Sequence, residues 1–246
     1  MKGQVLRRKR KPTSQVTDEK RLLEGKERIA AAAANLFLDG GYHSTSVREI
    51  AQKAGLSVGS VFNYFTSKEE ILFFLFSRNQ ERTETSLQIL RAEFARLKDE
   101  GVNPQDLLLL AYEPYVRLTD ELRRYTLLGY QELKSLTIAE RRRILEGEER
   151  IQHFIEEVIA YGVEQGAFPP GGINLKAHCL VVLAQSWAVR RWALKRFAKV
   201  EDYLNALKPI VLGIVESETP YLNGVAAMVM SRKEDEPVRP ERGTLS

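Results

Sequence analysis

Residues 45–68, TSVREIAQKAGLSVGSVFNYFTSK, constrain the fold of this chain more than any other stretch. Val47, Ile50, Ala51 and Ala54 recur at i, i+3, i+4 and i+7, which gives a short helix one apolar face. Gly55 ends that helix, because a residue without a Cβ enters positive φ freely, and Leu56 is placed to fold back as the apolar partner of such a cap. Ser57 is an N-cap for a second short helix. In that helix Val61 and Phe65, four apart, turn inward, so Val58, Gly59, Ser60 and Asn63 face outward. Two small amphipathic helices about a tight corner, with short side chains exposed at the start of the second, make a helix-turn-helix suited to a DNA major groove. An ordinary αα-corner would share the glycine. It would not require the alanine at the close crossing (Ala51) together with apolar Ile50, Leu56 and Val61.

The distribution of charge agrees. The net charge is +4, but residues 1–68 hold 13 Lys/Arg against 6 Asp/Glu, while the remaining 178 hold 24 against 27. A basic end on a near-neutral body suits a module that meets a polyanion. Six of the first eleven residues are Lys or Arg, so residues 1–24 read as a disordered basic arm, either reaching along DNA or serving only solubility. The first helix of the reading head is expected from Gly25 or Lys26 to Leu38. Within the motif, Arg48 and Lys68 are expected to clamp phosphates, with Thr45, Ser46 and Tyr64 offering hydroxyls, which fixes position without reading sequence. Ser60 and Asn63 are placed for base edges, Val58 for a thymine methyl, and Gly59 for close backbone approach.

Residues 26–72, KERIAAAAANLFLDGGYHSTSVREIAQKAGLSVGSVFNYFTSKEEIL, resemble the TetR family of DNA-binding regulators. The shared features are an alanine-rich first helix, a T-x-V-R-x-I-A helix, a G-L-S turn, a recognition helix ending Y-F, and the S-K-E-E start of the next helix. The matching segment is about a fifth of the chain. Two positions depart: Val58 stands where the family often has a basic or polar residue, and Phe62 lacks the hydroxyl that would reach a phosphate. The resemblance implies an all-α fold, with an N-terminal three-helix DNA-binding domain and a C-terminal helical domain for effector binding and dimerisation. It further implies a homodimer on double-stranded DNA with a palindromic operator, repression as the usual mode, and a lipophilic or acyl-CoA-like effector.

The remaining sequence reads as helices throughout, with no alternating strand pattern. Ser67 caps a long helix running towards Gly101, and further helices are expected at 104–118, 119–136, 137–165, 174–197 and 200–216. Domain limits are set at 25–72 for the reading head and 73–216 for the body, with residues 217–246 as a disordered tail that could dock through its apolar patch at 225–230. Aromatics at helical spacing commonly fill a core, but the resemblance nominates Tyr112, Tyr115, Tyr130, Phe154, Tyr161 and Trp187 as pocket walls. A dimer would use the last two helices through Val181, Val182, Leu183, Trp187, Leu194, Leu207, Ile210, Val211 and Ile214. The three histidines fall in no H-E-x-x-H, and neither a G-x-S-x-G nor a P-loop is present, so neither an enzyme, a metal ligand set nor a cofactor is expected. The lone Cys179 lies in an apolar run and is expected buried in a reducing compartment, the cytoplasm. A helical adaptor or membrane-surface protein using the basic end is the competing class, although no apolar run is long enough to span a bilayer.

Overall fold

The computed structural model describes residues 13–218. Nine α-helices follow in order: α1 (Thr13–Gly40), α2 (Val47–Lys53), α3 (Val58–Phe62), α4 (Lys68–Asp99), α5 (Pro104–Glu121), α6 (Arg123–Glu132), α7 (Ile138–Glu164), α8 (Ile173–Val189) and α9 (Val200–Glu216), with a 3₁₀ turn (Leu133–Ser135) after α6. No strand occurs among the described residues, and the all-α expectation holds. None of the described helices is long and apolar enough to cross a membrane. The expected basic run at residues 1–12 and all but the first two residues of the expected tail lie outside the described residues.

Capping fixes the helix boundaries. Ser46 and Glu49 form a reciprocal capping box at the start of α2, as Thr137 and Glu140 do for α7. Gly55 adopts φ +65° behind α2; its N–H reaches the carbonyl of Gln52, and the Leu56 N–H reaches Ala51 at 2.9 Å. Those two bonds are a Schellman closure, the geometry that the G-L-S corner foretells.

Two expected boundaries are corrected. The first helix starts at Thr13, not at Gly25 or Lys26, so half of the expected arm is helical. In its early part Leu22 and Leu23 are exposed and Lys20 pairs with Glu24 at 3.8 Å. The penultimate helix stops at Val189 rather than Phe197, because the Arg191 guanidinium donates to the carbonyls of Leu194, Phe197 and Ala198 and winds the following residues around itself. That guanidinium also sits 4.1 Å over the Trp187 ring.

Two apolar cores result. The N-terminal one gathers Ile29, Ala33, Phe37, Ile50, Ala51, Val61, Phe65, Ile71 and Leu72, and takes in Leu128 from α6 and Leu136 beyond it. The C-terminal one packs α5, α7, α8 and α9 around Leu108, Tyr112, Phe154, Ile155, Leu180 and Val211. The helix α4 belongs to both, giving Leu75 and Phe76 to the first and Leu87 and Leu90 to the second. Cys179 is only partly buried on α8.

Candidate nucleic-acid interface and interhelical cavity

At the corner between α2 and α3, three of the four residues expected to face outward are exposed, and Phe62, which was not expected to, is exposed with them. Val58 is 37% and Phe62 51% exposed; Gly59 and Asn63 are exposed, and Ser60 is half-buried. Ser57 caps α3 by accepting from the Ser60 N–H at 3.0 Å, and the two hydroxyls meet at 2.8 Å. Val61 and Phe65 anchor the helix from beneath. Arg48 and Ser46 are exposed beside this face. The Ser46 hydroxyl and N–H both donate to Glu49, whose carboxyl is held below its usual range by those hydrogen bonds.

Two residues expected at phosphates, Thr45 and Lys68, are engaged within the protein. The Thr45 side chain is buried and its hydroxyl donates to the Gly41 carbonyl at 2.8 Å. The Lys68 ammonium donates to the carbonyls of Tyr42 (2.8 Å) and Thr45 (2.9 Å), with His43 at 3.4 Å, and lies 4.4 Å over the Tyr42 ring. It staples the loop between α1 and α2 onto α4, a role that needs a cation with three donors. Tyr42 closes the same knot by donating to Glu69 at 3.0 Å, and burial pushes its phenol well above the ordinary tyrosine range. Tyr64 is half-buried, its ring filling the space that a Cβ on Gly25 of α1 would need.

Between α4, α6, α7 and α8 lies a cavity of about 570 Å³, open to solvent on one side. Phe76, Leu122, Tyr125, Leu133, Ile144 and Val181 supply much of its apolar wall. A polar chain crosses it: Tyr130 donates to the Gln185 side-chain carbonyl at 2.6 Å, and the Gln185 amide donates to Glu148 at 2.7 Å. Glu148 lines the cavity and is solvent-exposed there, and partial desolvation among the surrounding side chains holds its carboxyl above the usual range. Gly147 lies at the crossing with α4, where a Cβ would stand 2.4 Å from the Gln80 amide nitrogen.

Of the six aromatics nominated as pocket walls, Tyr130 alone lines this cavity. Tyr112, Tyr115, Phe154 and Trp187 are buried in the C-terminal core. Tyr112 donates to the Leu180 carbonyl at 2.7 Å, and Trp187 donates to Asp120 at 2.7 Å while stacking on Tyr203. Tyr161 packs edge-on against Phe94, under the Lys98 ammonium. The other lining residues were not nominated as pocket walls from sequence; among them Glu148, Gln185, Gln152, Thr126 and Gly129 are small or polar positions that mark a cavity only once four helices are assembled.

The helix α6 connects cavity and reading head. Tyr125, Thr126, Gly129 and Tyr130 face the cavity, while Leu128 is buried in the N-terminal core. Arg124 pairs with Asp39 of α1 at 3.3 Å, and Glu132 approaches the His43 ring at 3.5 Å.

Family models match both halves of this arrangement. Residues 29–73 match the bacterial regulatory proteins of the tetR family, and residues 101–193 match the tetracyclin repressor-like C-terminal domain. The HTH-type transcriptional regulator HbdR of Aromatoleum sp. (strain CIB) is 32% identical over 189 residues, covering 76% of this chain and 80% of HbdR. The chain belongs to the TetR family. It is thereby a DNA-binding transcriptional regulator, and the helix-turn-helix is its reading head. Solved structures share the fold. A regulatory protein from Rhodococcus RHA1 superposes with a TM-score of 0.69 at 21% identity, covering 79% of this chain and 98% of that one. AibR, solved with isovaleryl coenzyme A and operator DNA, gives 0.60 at 20% identity, covering 78% and 98%.

Proposed function

We propose that this TetR-family regulator is a repressor that binds a palindromic operator as a homodimer and is released when a lipophilic or acyl-CoA-like effector enters the interhelical cavity. The observation that carries this reading is the double duty of α6, which walls the cavity with one face and completes the reading head's core with the other. A ligand that shifts α6 necessarily favours one placement of α1 over another, and DNA and effector then oppose each other reciprocally. AibR was solved with a coenzyme A thioester and with operator DNA, which supports this effector class for a chain of the same fold.

Val58, Gly59, Ser60 and Asn63 take the base edges, and Arg48, Ser46 and Tyr64 the backbone. Asn63→Ala relaxes sequence preference more than it weakens binding to random duplex. The deciding experiment is selection of duplexes from a random pool at moderate salt, followed by titration of acyl thioesters against the selected duplex. Recovery of one inverted repeat, and its release by a thioester, is the expected result. Retention of all duplexes alike, or of none, overturns the reading.

A further inference from the structure

Apart from one imidazole, the acidic and basic side chains that line the cavity are all of one kind, carboxyl groups. Glu148 and Glu149 line it, and no Lys or Arg is found among the described residues that do. Neither carboxylate makes an ion pair among the described residues. The one imidazole, His178, meets the Gln152 side chain at 3.4 Å. The cations stand next door: Arg141 and Arg142 line an adjoining groove with Glu146, to which Arg142 pairs at 3.4 Å, and the groove shares Leu145 and Glu149 with the cavity. A carboxylate seated in an apolar enclosure needs a cation or converging N–H donors. Here it would meet Glu148, whose position is fixed by Gln185 and, through it, by Tyr130.

Resting on the effector reading above, we propose that Glu148 and Glu149 make the cavity a charge filter that admits uncharged groups and refuses free carboxylates. An organic acid is then sensed only as an uncharged derivative, a thioester or ester, and any tethered anion stays at the rim beside Arg141 and Arg142. The two glutamates are specificity-determining residues, acting by repulsion against the wrong ligand.

A matched pair of fluorescent probes tests this without knowledge of the natural effector. N-phenyl-naphthylamine and anilinonaphthalene sulfonate share an aromatic body and differ by one anionic group. The full-length protein is expected to bind the neutral probe at least about tenfold more tightly than the sulfonate. Glu148→Gln combined with Glu149→Gln is expected to bring the two within about threefold, chiefly by strengthening the sulfonate. In a second arm, octanoyl-coenzyme A should displace the neutral probe at concentrations where octanoate does not, and the double variant should let octanoate compete. Equal binding of both probes by the unaltered protein sinks the filter while leaving the cavity a ligand site. A gap that persists in the folded double variant also sinks it, because the carboxylates are then not its cause. Failure of the neutral probe itself to bind removes the effector reading on which the filter rests.

Discussion

Lys68 is a cation in a DNA-binding motif whose ammonium is engaged by the fold. Its spacing behind the recognition helix suits a phosphate clamp, but the carbonyls of Tyr42, His43 and Thr45 converge on its ammonium, and no sequence pattern announces where backbone carbonyls point. Arg48 has the opposite setting, exposed beside the reading face. Arg48→Ala should therefore flatten the dependence of log K on log salt by about one unit and leave Tm nearly unchanged. Lys68→Met should lower Tm by several degrees with the salt slope retained, since carbonyls that lose a charged donor are costly. If Lys68→Met instead flattens the slope at constant Tm, the staple is wrongly assigned. Glu148 supplies a second residue-scale test. Desolvation raises its carboxyl above the ordinary value of 4.5, so only in the window between the two values does the folded state hold a proton that the unfolded chain has released; above both, the group is ionised in either state. Stability contributed at this site is thus greatest at low pH and falls as pH rises through the window between the two values. Glu148→Gln should accordingly melt higher than the unaltered protein at neutral pH, with the difference vanishing below the ordinary carboxylate range. A residue that costs stability where it stands is retained for something other than the fold.

Among the elements, those specified by local chemistry were legible and those specified by assembly were not. The corner at Gly55, the caps at Ser57 and Ser67, and the continuous run of α4 all follow from neighbours in sequence. The end of α8 does not, because Arg191 stops it by gathering carbonyls from the residues beyond. The start of α1 is obscured by a charge run that argues for disorder and by an apolar pair, Leu22 and Leu23, that stays exposed. The cavity is the clearest loss. Aromatics were the visible clue, yet Tyr112 and Trp187 are fastened into the core by their polar ends, and the wall is assembled from unremarkable positions on four helices. The helix α6 is short, lacks a side-chain N-cap and ends in a 3₁₀ turn, so few local bonds resist its displacement. Its polar ties to the reading head are Arg124 to Asp39 and Glu132 to His43. Asp39→Asn combined with Glu132→Gln should leave operator and ligand affinities within about threefold, but shrink the factor by which a ligand weakens operator binding, a coupling ordinarily worth about 1–3 kcal/mol. Fluorescence anisotropy of labelled operator, with and without saturating ligand, reads that factor directly. An unchanged factor would mean that coupling runs through the Leu128 and Leu136 packing alone.

For the whole molecule, the question is what covers α8 and α9. Of the residues first assigned to a dimer face, Val181, Trp187, Leu207 and Val211 are buried within the protomer and supply its own core. Val182 at 44% and Ile210 at 50% exposure remain outward, joined by Leu175 at 55%. A helical repeat of apolar side chains selects a buried stripe but cannot say whether the cover comes from the same chain, which is why both sets read alike in sequence. With the self-covered residues removed, the outward remainder on the two helices suits a two-fold pairing in which each copy presents the same patch to the other. Such pairing holds two reading heads at a fixed separation, and a duplex repeats its major groove every ~34 Å, so both heads engage only if their spacing matches that repeat or a multiple of it. Each head alone binds weakly; joined, the second contact is made at high effective concentration. Leu175→Glu with Ile210→Glu alters no residue that lines the cavity or belongs to α2 or α3, and should yield a folded monomer by analytical ultracentrifugation. That monomer should lose about a hundredfold or more in affinity for an inverted repeat, while binding an isolated half-site as the unaltered protein does. If the variant remains a dimer, α8 and α9 are not the pairing surface. If it is monomeric but still grips the inverted repeat at full strength, the two heads act independently, and the operator need not be palindromic.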